Sequence, residues 1–286
     1  MAGARSASGL RRYAAQAAMR GRRASARQRV LPDFVIIGAQ KAGTTSLFNY
    51  LSAHPGVRPA ARKEVHFFDL HYDLGEDWYR AMFPLSRSMT AGGQRLITGE
   101  ASPYYLFHPL AAERAVRHVP AARLIVLLRD PVDRAWSHYL HEVAAGRETL
   151  SFSDALDAEP ARLAGAEEAI RAGSPTAPIE NHRYFSYFSR GRYADQIRGW
   201  LRHYPREAFL FLDAGVLFGD PHRAWVDTTE FLGIDPKIAP PFAVHNPGAG
   251  TPLDPPLRAR LRAEFREPDH DLEELLGMSF SWTSDL

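Results

Sequence analysis

The sequence predicts an α/β fold in three layers, a central parallel sheet flanked by helices, and three observations carry that prediction. Short apolar runs lie at residues 34–37, 123–128 and 209–212, each with the continuous hydrophobicity of a strand buried on both faces. The first two run through a turn into a helical pattern, the strand, turn, helix rhythm of a doubly wound sheet. A chain of 286 residues is long enough to build this around one large core.

Taken in order, the elements begin after a basic arm. Residues 1–30 hold eight arginines and no acid, so residues 31–286 carry 27 basic against 33 acidic residues, a balance of −6. Rich in Arg, Ala and Ser, the arm reads as disordered; a transit peptide, a polyanion-binding tail, a misassigned start and a plain solvated tail all fit it. No apolar stretch is long enough for a membrane span, and the expected location is cytoplasmic. With no cysteine, disulfides and thiolate metal sites are excluded.

After the strand at 34–37, residues 44–53 read as a helix that His54-Pro55-Gly56 ends. A second strand is expected at 95–98 and a helix at 110–118. The strand at 123–128 leads through Arg129-Asp130 to a helix at 132–143, with Pro131 near its first turn, where a missing N–H is harmless. Residues 145–190 contain Pro160, Pro175 and Pro178 and read as an irregular insert, by position a candidate for acceptor recognition. Helical patterns resume at 193–204, 221–232 and 255–265.

Lysine is scarce: Lys41, Lys63 and Lys237 are the only three among 35 basic residues. Lys41 lies in Gly38-Ala-Gln-Lys41-Ala42-Gly43-Thr44-Thr45-Ser46, a Gly-rich turn opening a helix, which is the arrangement of a phosphate-binding loop. Gly38 and Gly43 keep the spacing of nucleotide-triphosphatase loops, but Thr44 stands at the usual lysine position and the lysine has moved inside the loop. An ammonium is a compact point charge that a tight anion pocket can require even where arginine is otherwise preferred.

This loop resembles the 5′-phosphosulfate-binding loop of sulfotransferases, which use 3′-phosphoadenosine-5′-phosphosulfate (PAPS). A second segment, Arg123 to Arg129-Asp-Pro-Val-Asp-Arg-Ala-Trp-Ser137, resembles the family's 3′-phosphate motif, an arginine at a strand end and a serine eight residues on. A third, Lys63-Glu64-Val65-His66-Phe67-Phe68-Asp69, is similar to the heparan-sulfate-type members, the glucosaminyl 3-O- and N-sulfotransferases. Gly99-Glu100-Ala101-Ser102-Pro103-Tyr104 and Gly191-Arg192-Tyr193 echo further landmarks, with Ala101 where the 3-O-sulfotransferases carry lysine. The family's basic closing loop has as its nearest counterpart His245–Gly250, without lysine, and Arg258 is a possible substitute.

The resemblance implies a P-loop-like fold and sulfuryl transfer from PAPS, without a metal, to a hydroxyl or amine. It makes Glu64 the general base, Lys41 the leaving-group cation and His66 their support. Donor binding falls to Lys41, Ala42, Gly43, Thr44, Thr45, Ser46, Arg129 and Ser137, and acceptor binding to Lys63, Asp69 and Tyr193. Alternation along an extended segment would put Glu64, His66 and Phe68 on one side. The −6 balance points to a weakly charged small-molecule or glycan acceptor, such as a carbohydrate, glycolipid or secondary metabolite, although Arg183, Arg190, Arg192 and Arg198 could form a local basic patch. No nucleic-acid partner is expected, and the sequence leaves the oligomeric state open. Two alternatives remain: a P-loop kinase using Asp130 for magnesium, and a non-catalytic nucleotide- or polyanion-binding protein.

Overall fold

The computed structural model describes residues 17–173, 178–243 and 252–283. Its centre is a four-stranded parallel sheet in the order β4-β1-β5-β6, formed by β1 (Phe34–Gly38), β4 (Gly99–Ala101), β5 (Arg123–Leu128) and β6 (Phe209–Asp213). β1 is buried along its whole length and β5 everywhere but Arg123. That is why these strands read as unbroken apolar runs.

The expected strand at 95–98 is not in the sheet. Arg95 belongs to a small antiparallel hairpin, β2 (Thr90–Ala91) and β3 (Gln94–Arg95), closed by Gly92-Gly93, and the sheet strand follows four residues later as Gly-Glu-Ala. Gly99 pairs with Phe34, and a Cβ there would stand 2.4 Å from the Phe34 ring. The position admits no side chain, so β4 shows no hydrophobic pattern.

Helices cover the sheet: α1 (Thr44–Ala53), α3 (Ala111–His118), α8 (Tyr193–Leu201), α9 (Ala214–Gly219), α10 (Pro221–Leu232) and α11 (Pro255–Leu276) all contribute to its core. The core joins Leu47 and Leu51 of α1, Ile197 and Trp200 of α8 and Trp225 of α10 to the strands. α2 (Glu76–Arg80) lies between the first crossover and the hairpin.

Two expectations are corrected. The segment 145–190 is helical, with α5 (Phe152–Leu163), α6 (Ala166–Arg171) and α7 (Pro178–Tyr184) following α4 (Pro131–Ala144). A second core joins Phe152 and Leu156 of α5 to Val132 of α4 and to Tyr187, Leu261 and Phe265. Pro160 sits inside α5, and prolines that read as breaks are carried within a packed unit. The second half of the arm is also ordered: residues 17–24 are helical and Ala26–Gln28 form a 3₁₀ turn. Arg29 Nη1 donates to the Phe83 carbonyl at 2.7 Å and Arg80 to that of Arg29 at 3.0 Å. Backbone carbonyls near α2 satisfy these guanidinium groups, an interaction that charge counting does not reveal. Residues 1–16 lie outside the described part.

Candidate active site

The loop after β1 ends at Gly43, whose φ of 97° begins α1, and no side chain caps that helix. By contrast, Asp130, Ser151, Asp220 and Asp254 cap α4, α5, α10 and α11 with their own oxygens. The first turn of α1 also lacks an acid. The first N–H groups of a helix have no intrahelical partner, so this start and its dipole favour an anion from outside the chain. Gly43 is required on two counts, its left-handed φ and the Phe218 ring carbon 2.8 Å from where a Cβ would lie.

Two cations face this helix start. Arg129, at the carboxyl end of β5, donates from Nη1 to the Lys41 carbonyl at 3.0 Å. Burial, then the nearby Arg129 charge, lowers the Lys41 ammonium below its ordinary value, while Glu142 and Glu64 work the other way. Two cations beside an uncapped helix N-terminus fit a phosphate-bearing donor. Thr44 and Ser46 are buried and Thr45 half-buried in the first turn, and Ala42 is buried in the loop. Ser137 is half-buried on α4, two turns along from Arg129.

Asp130 and Asp133 are both engaged within the chain. Asp130 Oδ1 accepts from the amides of Val132 and Asp133, its other oxygen pairs with Arg262, and Asp133 pairs with Arg258 at 2.6 Å. Thus Asp130, engaged at both oxygens, is a poor match for a magnesium ligand. Arg258 is likewise committed, and His245–Gly250 lies outside the described residues.

The third motif forms a turn instead of a strand. Glu64 and His66 have φ of 57° and 56°, Phe68 is fully buried in the core, and Glu64 keeps 45% of its side chain exposed. Alternation therefore fails for Phe68, while two left-handed residues bring Glu64 and His66 together. Lys63 Nζ lies 2.7 Å from Glu64 Oε1 and His66 Nε2 3.2 Å from Glu64 Oε2; His66 Nδ1 lies 2.7 Å from Asp69 Oδ2. The hydrogen bond from His66, with Lys63 assisting against burial, holds the Glu64 carboxyl down to about 2. Burial opposes charge on the His66 ring, but its bonds to Asp69 and Glu64 prevail and raise it to about 9. At neutral pH the pair is a carboxylate against an imidazolium.

Asp69 has no exposed side-chain surface; its other oxygen accepts from the Leu70 amide at 2.6 Å. It holds the His66 ring from behind and leaves no side-chain surface open. Tyr193 is also buried, its hydroxyl donating to the Arg129 carbonyl at 2.8 Å, so it braces Arg129 and leaves almost no surface for an acceptor. Three of the four residues of the expected patch are engaged elsewhere: Arg192 pairs with Asp195 at 3.0 Å, Arg198 with Asp271 at 2.7 Å, and Arg190 is 3% exposed. Arg190 packs over the rings of Tyr104 and Phe107 and donates to the Gln40 side chain and to the carbonyls of His182 and Arg183. This brace on the residue before Lys41 is not apparent in the sequence, where its partners are 150 residues apart.

Comparison with known proteins agrees with this geometry. The family model described as sulfotransferase domain matches residues 31–241. The chain belongs to the sulfotransferase family. Human heparan sulfate glucosamine 3-O-sulfotransferase 3B1 is 33% identical over 276 residues, covering 88% of this chain and 65% of that protein. Human bifunctional heparan sulfate N-deacetylase/N-sulfotransferase 3 is 33% identical over 213 residues, 72% of this chain but 23% of the longer protein. A sulfotransferase structure from Alicyclobacillus acidocaldarius superimposes with a TM-score of 0.68 at 32% identity, covering 89% of this chain and 99% of that one. The central parallel sheet with flanking helices is thus this family's P-loop-like fold. Among the described residues, no helix is long and apolar enough to cross a membrane.

Proposed function

We propose that this sulfotransferase transfers a sulfuryl group from PAPS to a hydroxyl or amine of a carbohydrate acceptor. The observation that carries the reading is the convergence of Lys41 and Arg129 on the uncapped start of α1, with Glu64 near enough for its charge to act on Lys41. PAPS supplies a sulfuryl group whose departure leaves negative charge on the 5′-phosphate. Lys41 and the first amides of α1 stabilise that charge where it grows, usually the largest contribution to such a transfer. Arg129 and Ser137 bind the 3′-phosphate.

Glu64, oriented by Lys63 and His66, takes the acceptor proton as the acceptor attacks, an effect of about 10² to 10⁴ in rate. The imidazolium of His66, fixed by Asp69, keeps that carboxylate aligned with the cleft. The residues in these roles require no metal.

Local charge favours an acceptor that is itself anionic. Arg62 and Arg183 both act on His71, and Lys63 contacts Glu64. Cations thus stand near this motif although residues 31–286 are net acidic. The relatives named for heparan sulfate glucosamine support an amino-sugar polymer over a weakly charged metabolite.

Calorimetric titration with adenosine 3′,5′-bisphosphate, ATP and 5′-AMP without magnesium tests the donor site. Binding should require the 3′-phosphate and be lost in Arg129→Ala. Equal affinity for ATP would refute the assignment and return the kinase to consideration. Transfer of labelled sulfate from PAPS to N-sulfated and unsulfated glucosaminyl oligosaccharides then tests the acceptor, and transfer to neutral sugars alone would refute the anionic class.

A further inference from the structure

The motif around Glu100 takes no part in the chemistry above, yet it is wired to the turn that performs it. Glu100, in β4, has no exposed surface, and its carboxylate accepts from three hydroxyls. Tyr79 and Tyr105 donate to Oε1 at 2.9 and 3.0 Å, and Ser102 to Oε2 at 2.7 Å. Two of these hydroxyls accept in turn from backbone amides of the turn, those of His66 and Phe67. Ser102 Oγ receives the His66 N–H at 3.0 Å and Tyr105 Oη the Phe67 N–H at 2.7 Å. The Glu64 N–H donates to the carbonyl of Ala101, between Glu100 and Ser102 in sequence, at 2.9 Å.

The direction of these bonds carries the argument. Each hydroxyl has one proton, and giving it to Glu100 leaves its oxygen lone pairs facing the amide. An acceptor at the hub therefore sets both hydroxyls to receive the amides, and buried chains of this kind are cooperative. The turn they hold needs such support because Glu64 and His66 both adopt left-handed backbone, a conformation that persists only where its surroundings impose it. An isolated carboxylate is costly to bury, and an apolar side chain would fill the space without that cost. Burial raises the Glu100 carboxyl to about 7 against the pull of the three hydroxyls, with Asp69 the further charge acting on it.

We propose that Glu100 is a positioning residue for catalysis, acting through Ser102 and Tyr105 to lock the backbone turn that pairs Glu64 with His66. This rests on the reading of Glu64 and His66 as the proton-handling pair. The assignment gives Gly99–Tyr104 a task in the reaction without placing any of its side chains on a substrate.

The test is the titration of the His66 ring in the full chain, followed by NMR with labelled histidine and assigned by loss of the signal in His66→Gln. In the wild type His66 titrates near 9, because Glu64 and Asp69 are held against it. In Glu100→Gln, which keeps the shape but places an amide N–H where an acceptor stood, His66 should lose about tenfold or more in proton affinity. Bisphosphate binding should be unchanged, and kcat should fall with little change in the donor KM. Adding Ser102→Ala to Glu100→Gln should do less than Ser102→Ala alone, since both cut one chain.

An unchanged His66 titration in Glu100→Gln would overturn the proposal. Should that variant not fold, Ser102→Ala and Tyr105→Phe each cut one arm, and a wild-type titration in both would overturn it equally. Failure of the sulfotransferase reading would appear separately, as wild-type protein that does not distinguish the bisphosphate from ATP.

Discussion

Among the described residues, the non-glycine positions with positive φ are Lys41 at 71°, Glu64 at 57° and His66 at 56°, and each is a candidate catalytic residue. A left-handed backbone costs a residue with a Cβ about 1–2 kcal/mol and costs glycine almost nothing. Glycine in turn loses about 0.5–1 kcal/mol more chain entropy on folding than alanine does. At an ordinary position the second effect rules, and Ala is the more stable substitution. At Glu64 the first should win. Both Glu64→Gly and Glu64→Ala lose the same contacts to Lys63 and His66, so the comparison isolates the backbone. Glu64→Gly should then be the more stable by about 0.5–1 kcal/mol, roughly 1–4 °C in Tm for a chain of this size. Urea and thermal unfolding of the two full-length variants at pH 7 measure the difference, and both should lack transfer activity. If Glu64→Ala equals or exceeds Glu64→Gly in stability, the turn is not strained as argued here, and strain has no part in presenting the base.

Removing the Lys41 charge in Lys41→Met should cost about 10² to 10³ in single-turnover transfer at saturating PAPS, the scale of losing one preorganised donor to a developing anion. Lys41→Arg should not restore the rate, because a planar fork does not replace a point charge in a tight loop; recovery to near wild type would refute the special role of lysine. The Glu64–His66 pair should also shape stability against pH. Depressed to about 2 from 4.5, Glu64 contributes above about pH 4.5 and loses that contribution as pH falls toward 2. Raised to about 9 from 6.5, His66 contributes below about pH 6.5 and loses its contribution as pH rises toward 9. Both are whole only between about pH 4.5 and 6.5, so Glu64→Gln should flatten the urea midpoint on both sides of that window, and a profile unchanged from wild type would refute the pairing.

The parts of the fold legible in the sequence are those whose signal is local. The helix at residues 44–53, the strand at 123–128 and the helix at 221–232 appear at the expected bounds because a doubly buried strand and an amphipathic helix each write their own pattern. β4 was not legible, since its buried residues are Gly99, Glu100 and Ala101, and the one large side chain is a carboxylate satisfied by hydroxyls from elsewhere. The helices of 145–190 were hidden by prolines, although Pro178 starts α7 and Pro160 lies within α5. In the site, Lys41 and Arg129 were legible because loop and strand end are contiguous motifs. Glu64 and His66 do meet, but through a turn and not through strand alternation, because left-handed backbone at a non-glycine residue leaves no trace in residue type. Tyr193, Arg190 and Glu100 act through partners distant in sequence, and for these only the folded chain is informative.

The strand order ties these pieces into one spatial sequence. Neighbouring parallel strands stand about 4.8 Å apart, and β4, β1 and β5 are successive neighbours. The residues at and just beyond β4 hold the turn carrying Glu64, the loop after β1 carries Lys41, and the end of β5 carries Arg129. In the proposed reaction this orders proton acceptor, leaving-group cation and 3′-phosphate reader across the carboxyl edge of the sheet, where ligands of open α/β folds bind. The donor then lies over the interior strands β1 and β5, and the acceptor over β4, the sheet's edge strand. The outer side of β4 is covered by residues 58–64, where the amides of Arg58, Ala60 and Glu64 donate to the carbonyls of Ile97, Gly99 and Ala101, so the acceptor meets Glu64 at the segment that covers this edge.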